Sequence, residues 1–246
     1  MTILNILATS HGTDSASGRE AIALIREQIQ ILLSHREDDV EYRVHEAYVD
    51  VESPSVDEAA AALPKDEPCV IVPILLSTGF HTQVDLRRAA RNSGIERIAI
   101  AESLGPDARL AALGRTRLEE AGWTPLDGAV VQGAAGSSRG DGRADMERAA
   151  ELLGEQLGAP AYNAFIAEID PKVGDLVAKH QPAFAATYLL AEGFFAAKMR
   201  RDAVSALESI KVAAPLVHAH DAASAAVVAE CFVERVDAAL AELNAA

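Results

Sequence analysis

Two histidines and a short acidic stretch are the parts of this chain whose types and spacing could do chemistry. His11 lies in Ser10-His11-Gly12-Thr13, directly after an apolar run. Asp50, with Glu52 beside it, follows a second run, and Gly79-Phe80-His81 follows a third. If the three runs are neighbouring strands, two imidazoles and one or two carboxylates converge on one rim. Such a set suits a divalent transition metal such as iron, cobalt or nickel with positions left open for exchange. It also suits proton transfer near neutral pH, since imidazole and carboxylate both accept protons there. The chain carries neither a Walker lysine loop nor a G-x-G-x-x-G fingerprint, so nucleotide-driven chemistry has no sequence support.

The elements that must position these residues follow from the hydrophobic pattern. Ile3 to Thr9 is a short apolar strand. From Gly18 to Leu33 the apolar residues Ile22, Ile25, Ile29 and Leu32 recur at helical steps. Glu41 to Val49 alternates as a strand, and Pro54 opens a helix through Leu63. Cys69 to Leu76 is apolar throughout, as a strand covered on both faces must be. A helix through Leu86 and Ala90, a strand from Arg97 to Ala101 and a helix from Asp107 to Ala121 complete a βαβαβαβα order, the signature of an open parallel sheet flanked by helices. The order then repeats from Gly128, with Pro171 opening a helix, Gly193-Phe194-Phe195 as a loop and a last helix from Asp221 to Leu243. AYVDVESPSV lies over AFIAEIDPKV, and STGFHTQVDLRRA over AEGFFAAKMRRDA. Residues 1–122 and 123–246 therefore read as two similar α/β domains, each with an open, mostly parallel four-stranded sheet.

The second copy serves as an internal control. His11 lies over Gly136, Asp50 over Ala167 and His81 over Phe195, so all three polar candidates are lost while the strands and helix-opening prolines survive. One active and one inactive copy would look like this. Composition narrows the partners. The 246 residues include 22 Lys and Arg against 37 Asp and Glu, a formal net charge of −15, which disfavours nucleic acid and anionic membrane surfaces. Two cysteines, Cys69 and Cys231, are too few for a disulfide scaffold or an iron–sulfur cluster. No apolar run reaches about 18 residues and the first residues lack a basic leader region, so the expectation is a cytoplasmic protein.

The SHGT loop, the YVDVESPSV segment, the VPILLSTGFH strand and loop, and the duplicated plan together resemble the sirohydrochlorin chelatases, the ATP-independent class II chelatases of sirohaem and cobalamin synthesis. The resemblance implies insertion of a divalent metal, Fe²⁺ first and Co²⁺ second, into sirohydrochlorin, with the metal as substrate and no permanently bound cofactor. It implies that His11 and His81 handle the metal. Asp50 stands where the family usually has Glu, as ligand, base or relay. Ser10, Gly12, Thr13 and Gly79 would offer N–H groups or hydroxyls to substrate carboxylates at a helix N-terminus, and Arg19, Arg87 and Arg88 would pair with carboxylates farther out. A carboxylate-rich tetrapyrrole then requires a local basic cleft on an acidic protein. A duplicated chain can meet its own partner surface, which favours a monomer with a pseudo-twofold domain pair.

Other residues read more plainly. Glu52 reads as solvated or capping, His35 and His45 as surface residues, and His218-Ala219-His220 as loop and cap rather than an accessory metal site. Phe194, Phe195 and Trp123 read as core or domain interface. Three rivals stand beside the chelatase: a metal or tetrapyrrole carrier without turnover, a ferrochelatase for a less carboxylated porphyrin, whose cleft would carry fewer basic residues, and a phosphate- or nucleotide-binding α/β protein.

Overall fold

The structure is a computed structural model that describes residues 2–79 and 84–245. The order is β1 (Thr2–Ser10), α1 (Ala16–Ser34), β2 (Val40–Tyr48), α2 (Val56–Ala62), β3 (Cys69–Pro73), α3 (Leu86–Ser93), β4 (Ile98–Ile100) and α4 (Ala108–Glu120). It is followed by β5 (Val130–Ala134), α5 (Gly140–Leu157), β6 (Ala161–Phe165), α6 (Val173–His180), β7 (Phe184–Tyr188), α7 (Phe194–Ala206), β8 (Lys211–Val212) and α8 (Ala222–Ala245). Each half forms a four-stranded sheet, with strand orders β2-β1-β3-β4 and β6-β5-β7-β8. Every pairing is parallel. None of the helices among the described residues is long and apolar enough to cross a membrane.

Local chemistry sets the helix starts. Ser15 caps α1 by accepting from Gly18 N–H, and Ser55 with Glu58 forms a reciprocal capping box on α2. The two prolines expected to open helices sit one step earlier. Pro54 and Pro171 precede the caps Ser55 and Lys172, and their carbonyls accept from Tyr48 N–H at 3.0 Å and Phe165 N–H at 2.8 Å. A proline has no N–H to lose but still offers a carbonyl, so it closes the strand end rather than starting the helix. The other displaced expectation is Phe194-Phe195, which is the first turn of α7 with Gly193 as its cap, not a loop.

The two sheets are not covered by their own helices alone. Val228, Phe232 and Val236 of α8 share one core with Ile25 and Ile29 of α1 and Val70 and Val72 of β3. In the mirror arrangement, Ala111 and Leu118 of α4 pack with Val130 of β5, Leu153 of α5 and Phe184 of β7. Each half thus lends its last helix to the sheet of the other. The lending is locked by Arg117 on α4, only 2% exposed. It donates to Leu216 O at 3.0 Å, to Glu120 at 2.7 and 2.8 Å, to Ser224 Oγ at 2.6 Å, and to Asp221 at the start of α8. Burial pushes the Asp221 carboxyl up, but hydrogen bonds from the Ser224 hydroxyl and N–H and from Arg117 outweigh it and hold the group at about 2.

Two tests follow from this exchange. Phe232 is fully buried, so Phe232→Ala should cost about 3–5 kcal/mol. In a chain of this size that is a fall in Tm of roughly 10 °C. The accompanying loss of hydrogen-exchange protection should centre on β1 and β3 of the other half; loss centred on β5 and β7 would contradict the exchange. A carboxylate depressed from 3.8 to about 2 stabilises the fold above its unfolded pKa, and the gain is lost as pH falls through the folded one. Wild type should therefore exceed Asp221→Asn by about 1 kcal/mol at pH 7, the shift being discounted for solvent screening of a carboxylate at the surface, and denaturant titrations should show the gap closing between about pH 4 and pH 2.

Candidate metal-handling cleft

The carboxyl ends of both sheets face one cavity of about 660 Å³, within the range of small-molecule sites. Ser10 to Ser15 line it from the end of β1, Ile74 to Gly79 from beyond β3, Ala134 to Ser138 from beyond β5, and Tyr188 to Ala196 from beyond β7. The halves meet across it through paired glycines. A Cβ on Gly18 of α1 would lie 2.2 Å from Glu192 O, and a Cβ on Gly142 of α5 would lie 2.1 Å from Thr78 O. Each helix start therefore abuts the loop after the third strand of the opposite half, at a distance only glycine allows. One of these contacts carries an extra bond: Thr78 N–H donates to Asp145 of α5 at 2.7 Å.

His11 is exposed on the cavity rim, with Nδ1 3.4 Å from Gly12 O. Asp50 is its neighbour across the strand ends, donating its own N–H to His11 O at 3.0 Å. The Asp50 carboxylate accepts from Val51 N–H at 2.8 Å and is not among the cavity-lining groups. Glu52 is. Its carboxylate accepts from Thr13 N–H at 2.9 Å, so the residue read as solvated is a rim carboxylate bonded to the SHGT loop. The turn that presents it is strained. Glu52 N–H donates to Asp50 O at 2.7 Å with Val51 between them at φ 65°, a conformation β-branched residues rarely adopt. The equivalent turn in the second half closes with the same bond, Ile169 N–H to Ala167 O at 2.7 Å, and has no positive φ. Gly12, at φ 93°, passes so close that a Cβ would lie 2.1 Å from Asp50 O.

The other expected residues fall into groups. The Ser10 hydroxyl is buried on the cavity with no hydrogen-bond partner among the described residues, a donor held for something that enters. Gly79 lines the cavity. Thr13 N–H is already committed to Glu52. Arg19 donates to Thr13 O at 3.2 Å at the mouth. Arg88 is held by Asp57 at 2.8 Å and Asp85 at 2.8 Å, and neither it nor Arg87 lines the cavity. His81 lies outside the described residues. Among the described residues no three His, Cys, Asp or Glu come together as a metal cage.

Superposing the halves through their matching bonds shifts one equivalence. Val49 N–H to Ser10 O and Asp50 N–H to His11 O correspond to Ile166 N–H to Ala134 O and Ala167 N–H to Ala135 O. The counterpart of His11 is therefore Ala135, not Gly136, whose φ of 100° pairs it with Gly12. The same matching makes Arg143 of α5 the counterpart of Arg19 of α1. Its guanidinium lies 3.5 Å from Ser137 O and Ser138 O, as that of Arg19 lies beside Thr13 O. Neither arginine has a carboxylate partner among the described residues.

The cleft is not basic. Among the described residues its charged lining groups are Asp14, Glu52 and Glu192, with His11, and no Lys or Arg is among them. Guanidinium groups stand only outside that lining, where Arg200 pairs with Glu192 at 2.7 Å and Arg19 and Arg143 flank the small loops. Such a field draws cations inward. Phe194 and Phe195, read as core or domain interface, are 70% and 37% exposed and line the cavity between the halves. Trp123 is buried and donates to Gly128 O at 3.2 Å. His45 is half-buried, 3.0 Å from Asn5 Oδ1, with its pKa lowered by burial. His218 and His220 lie just before Asp221, which caps α8 by accepting from Ser224 N–H. Burial raises the thiols of Cys69 and Cys231 to about 12 and leaves them inert.

Two parallel sheets meeting carboxyl end to carboxyl end define a two-lobed α/β protein with a cavity between its halves. Comparison with known proteins narrows this. The CbiX family model matches residues 5–121. A sirohydrochlorin cobaltochelatase of Sulfurisphaera tokodaii is 32% identical over 85 residues, covering 34% of this chain and 68% of the relative. The fold is shared with SirB from Bacillus subtilis with Fe³⁺ at a TM-score of 0.75 and 20% identity, covering 100% of this chain and 98% of that one. It is shared also with CbiX, the terminal enzyme of sirohaem biosynthesis in denitrifying bacteria, at 0.67 and 22%, covering 94% and 98%. The chain belongs to the sirohydrochlorin chelatase family.

The Asp145 contact gives a direct test of how the halves share the site. Asp145→Ala removes a charged acceptor from Thr78 N–H, a bond worth about 1.5–3 kcal/mol. Hydrogen exchange at the Thr78 amide should quicken at least tenfold although the substitution is in the other half. Unchanged exchange would mean the loop holds its place without α5.

Proposed function

We propose that the protein inserts a divalent metal, Fe²⁺ first and Co²⁺ second, into sirohydrochlorin without ATP, yielding sirohaem or its cobalt counterpart. The observation that carries this reading is the cavity between the two sheets, with His11, Glu52 and the unpartnered Ser10 hydroxyl on one side of it. Insertion exchanges two pyrrole N–H protons for one M²⁺. The acidic lining lowers the cost of bringing the cation in. A neutral His11 imidazole takes it in partly desolvated form. Asp50 beside His11 and Glu52 on the rim are the carboxylates that can receive the displaced protons. His81, two residues beyond the cavity-lining Gly79, is the second imidazole of this reading. Ser10 donates to the macrocycle, and Arg19 with Arg143 takes carboxylates that project from the mouth. The second half supplies the opposing wall, so a single chain suffices.

One feature favours a second reading: among the described residues no Lys or Arg lines the cavity, as would suit a ferrochelatase for a less carboxylated porphyrin. The same assay separates the two. Protein mixed anaerobically with Fe²⁺, Co²⁺ or Ni²⁺ and, in parallel, sirohydrochlorin or protoporphyrin is followed by the tetrapyrrole spectrum. Faster metallation of sirohydrochlorin is expected, and preference for protoporphyrin would transfer the reading to the second. Rates equal to the uncatalysed reaction for every pair would overturn both. His11→Ala should lower turnover about 100-fold or more.

A further inference from the structure

The two Phe rings at the start of α7 are out of place for a packed protein. Phe194 is 70% exposed and Phe195 37%, and they are the aromatic members of the exposed large hydrophobic residues among those described. Burying a Phe side chain stabilises a fold, and here that gain is left unused. The rings contact each other edge to face, with centroids 5.8 Å apart and planes at 89°, so they form a small preordered surface rather than two loose side chains. Both line the cavity.

Their position in the fold is constrained. They follow Gly193, which caps α7, and a Cβ on Gly193 would lie 3.1 Å from Thr13 Oγ1. The aromatic pair is therefore seated next to the SHGT loop of the opposite half. Around it the second-half rim has Ala135, Leu190 and Ala191 where the first half has His11, Leu76 and Ser77, with Glu192, held by Arg200, as its charged lining group. The two rims differ in kind: one can hold a cation and move protons, and the other offers flat apolar surface.

We propose that Phe194 and Phe195 form a stacking wall that binds the metal-free macrocycle by its π face, making the second half the tetrapyrrole-holding half and the first the metal-handling half. This rests on the tetrapyrrole reading above. The wall acts before metal arrives, since stacking needs no coordination. It also supplies affinity that the acidic lining cannot supply through carboxylate pairing.

The test is titration of the protein with metal-free sirohydrochlorin, followed by its absorbance and fluorescence, in wild type, Phe194→Ala/Phe195→Ala and Phe195→Trp. The double variant should raise Kd at least tenfold, Phe195→Trp should stay within threefold of wild type, and Co²⁺ binding without macrocycle should be unchanged in both. A double variant within twofold of wild type overturns the wall while leaving the chelatase reading intact. A wild type that binds no tetrapyrrole removes that reading itself. Exposure predicts little change in Tm; should the double variant unfold, Phe194→Ala alone, at the more exposed ring, decides with an expected threefold or greater rise in Kd, and an unchanged Kd overturns the wall.

Discussion

Each sheet in this protein has an apolar face that its own half cannot cover. The last helix of each half crosses to cover the sheet of the other, α8 onto β3 and α1, α4 onto β7 and α5. Everything at the cleft depends on that exchange. It fixes the two sheets with their carboxyl ends facing each other. The buried Arg117 ties the crossing helices together at Asp221, Ser224 and Leu216. An arginine this deep is tolerated because its donors meet carboxylates, a hydroxyl and a carbonyl; removal of one partner would leave a buried charge exposed to the full desolvation cost.

On that frame a near-symmetric contact is used for asymmetric ends. Gly18 against Glu192 O and Gly142 against Thr78 O are the same contact made twice. The Thr78 loop is held across the halves by Asp145 and the Glu192 loop within its own half by Arg200; the former is the loop that leads towards His81. Of the two matching turns, Asp50-Val51-Glu52 and Ala167-Glu168-Ile169, the first alone has a positive φ, at Val51, and it aims Glu52 at the cavity. At this pair of turns the positive φ is in the first half, while Phe194 and Phe195 of the second half stand exposed at the cavity.

Much of the fold was legible in the sequence because a parallel strand buried on both faces leaves an unmistakable apolar run, as in CVIVPILL, and because a duplicated order of elements corroborates itself. The proline and Phe194 boundaries were less so. A proline at a helix entrance and a proline closing a strand end look alike until the bonds of Tyr48 and Phe165 are seen. At the site, His11, Ser10 and Gly79 could be placed from strand ends alone. Glu52 could not be told from Asp50, because two carboxylates one residue apart differ only in which way the intervening turn points them. Arg143 was legible in principle, as the repeat partner of Arg19.

The sequence by itself determined two parallel-sheet halves, their order, the strand ends where polar residues gather and the loss of those residues from the second copy, since each rests on local periodicity and composition. Only the tertiary structure decided that the halves exchange helices, that the cleft is acidic within and has arginines only beyond its lining, that Glu52 rather than Asp50 faces the cavity, and that Phe194 and Phe195 stand open to it. These depend on contacts between residues far apart in the chain, and a net charge of −15 carries no information about where its few uncompensated cations stand.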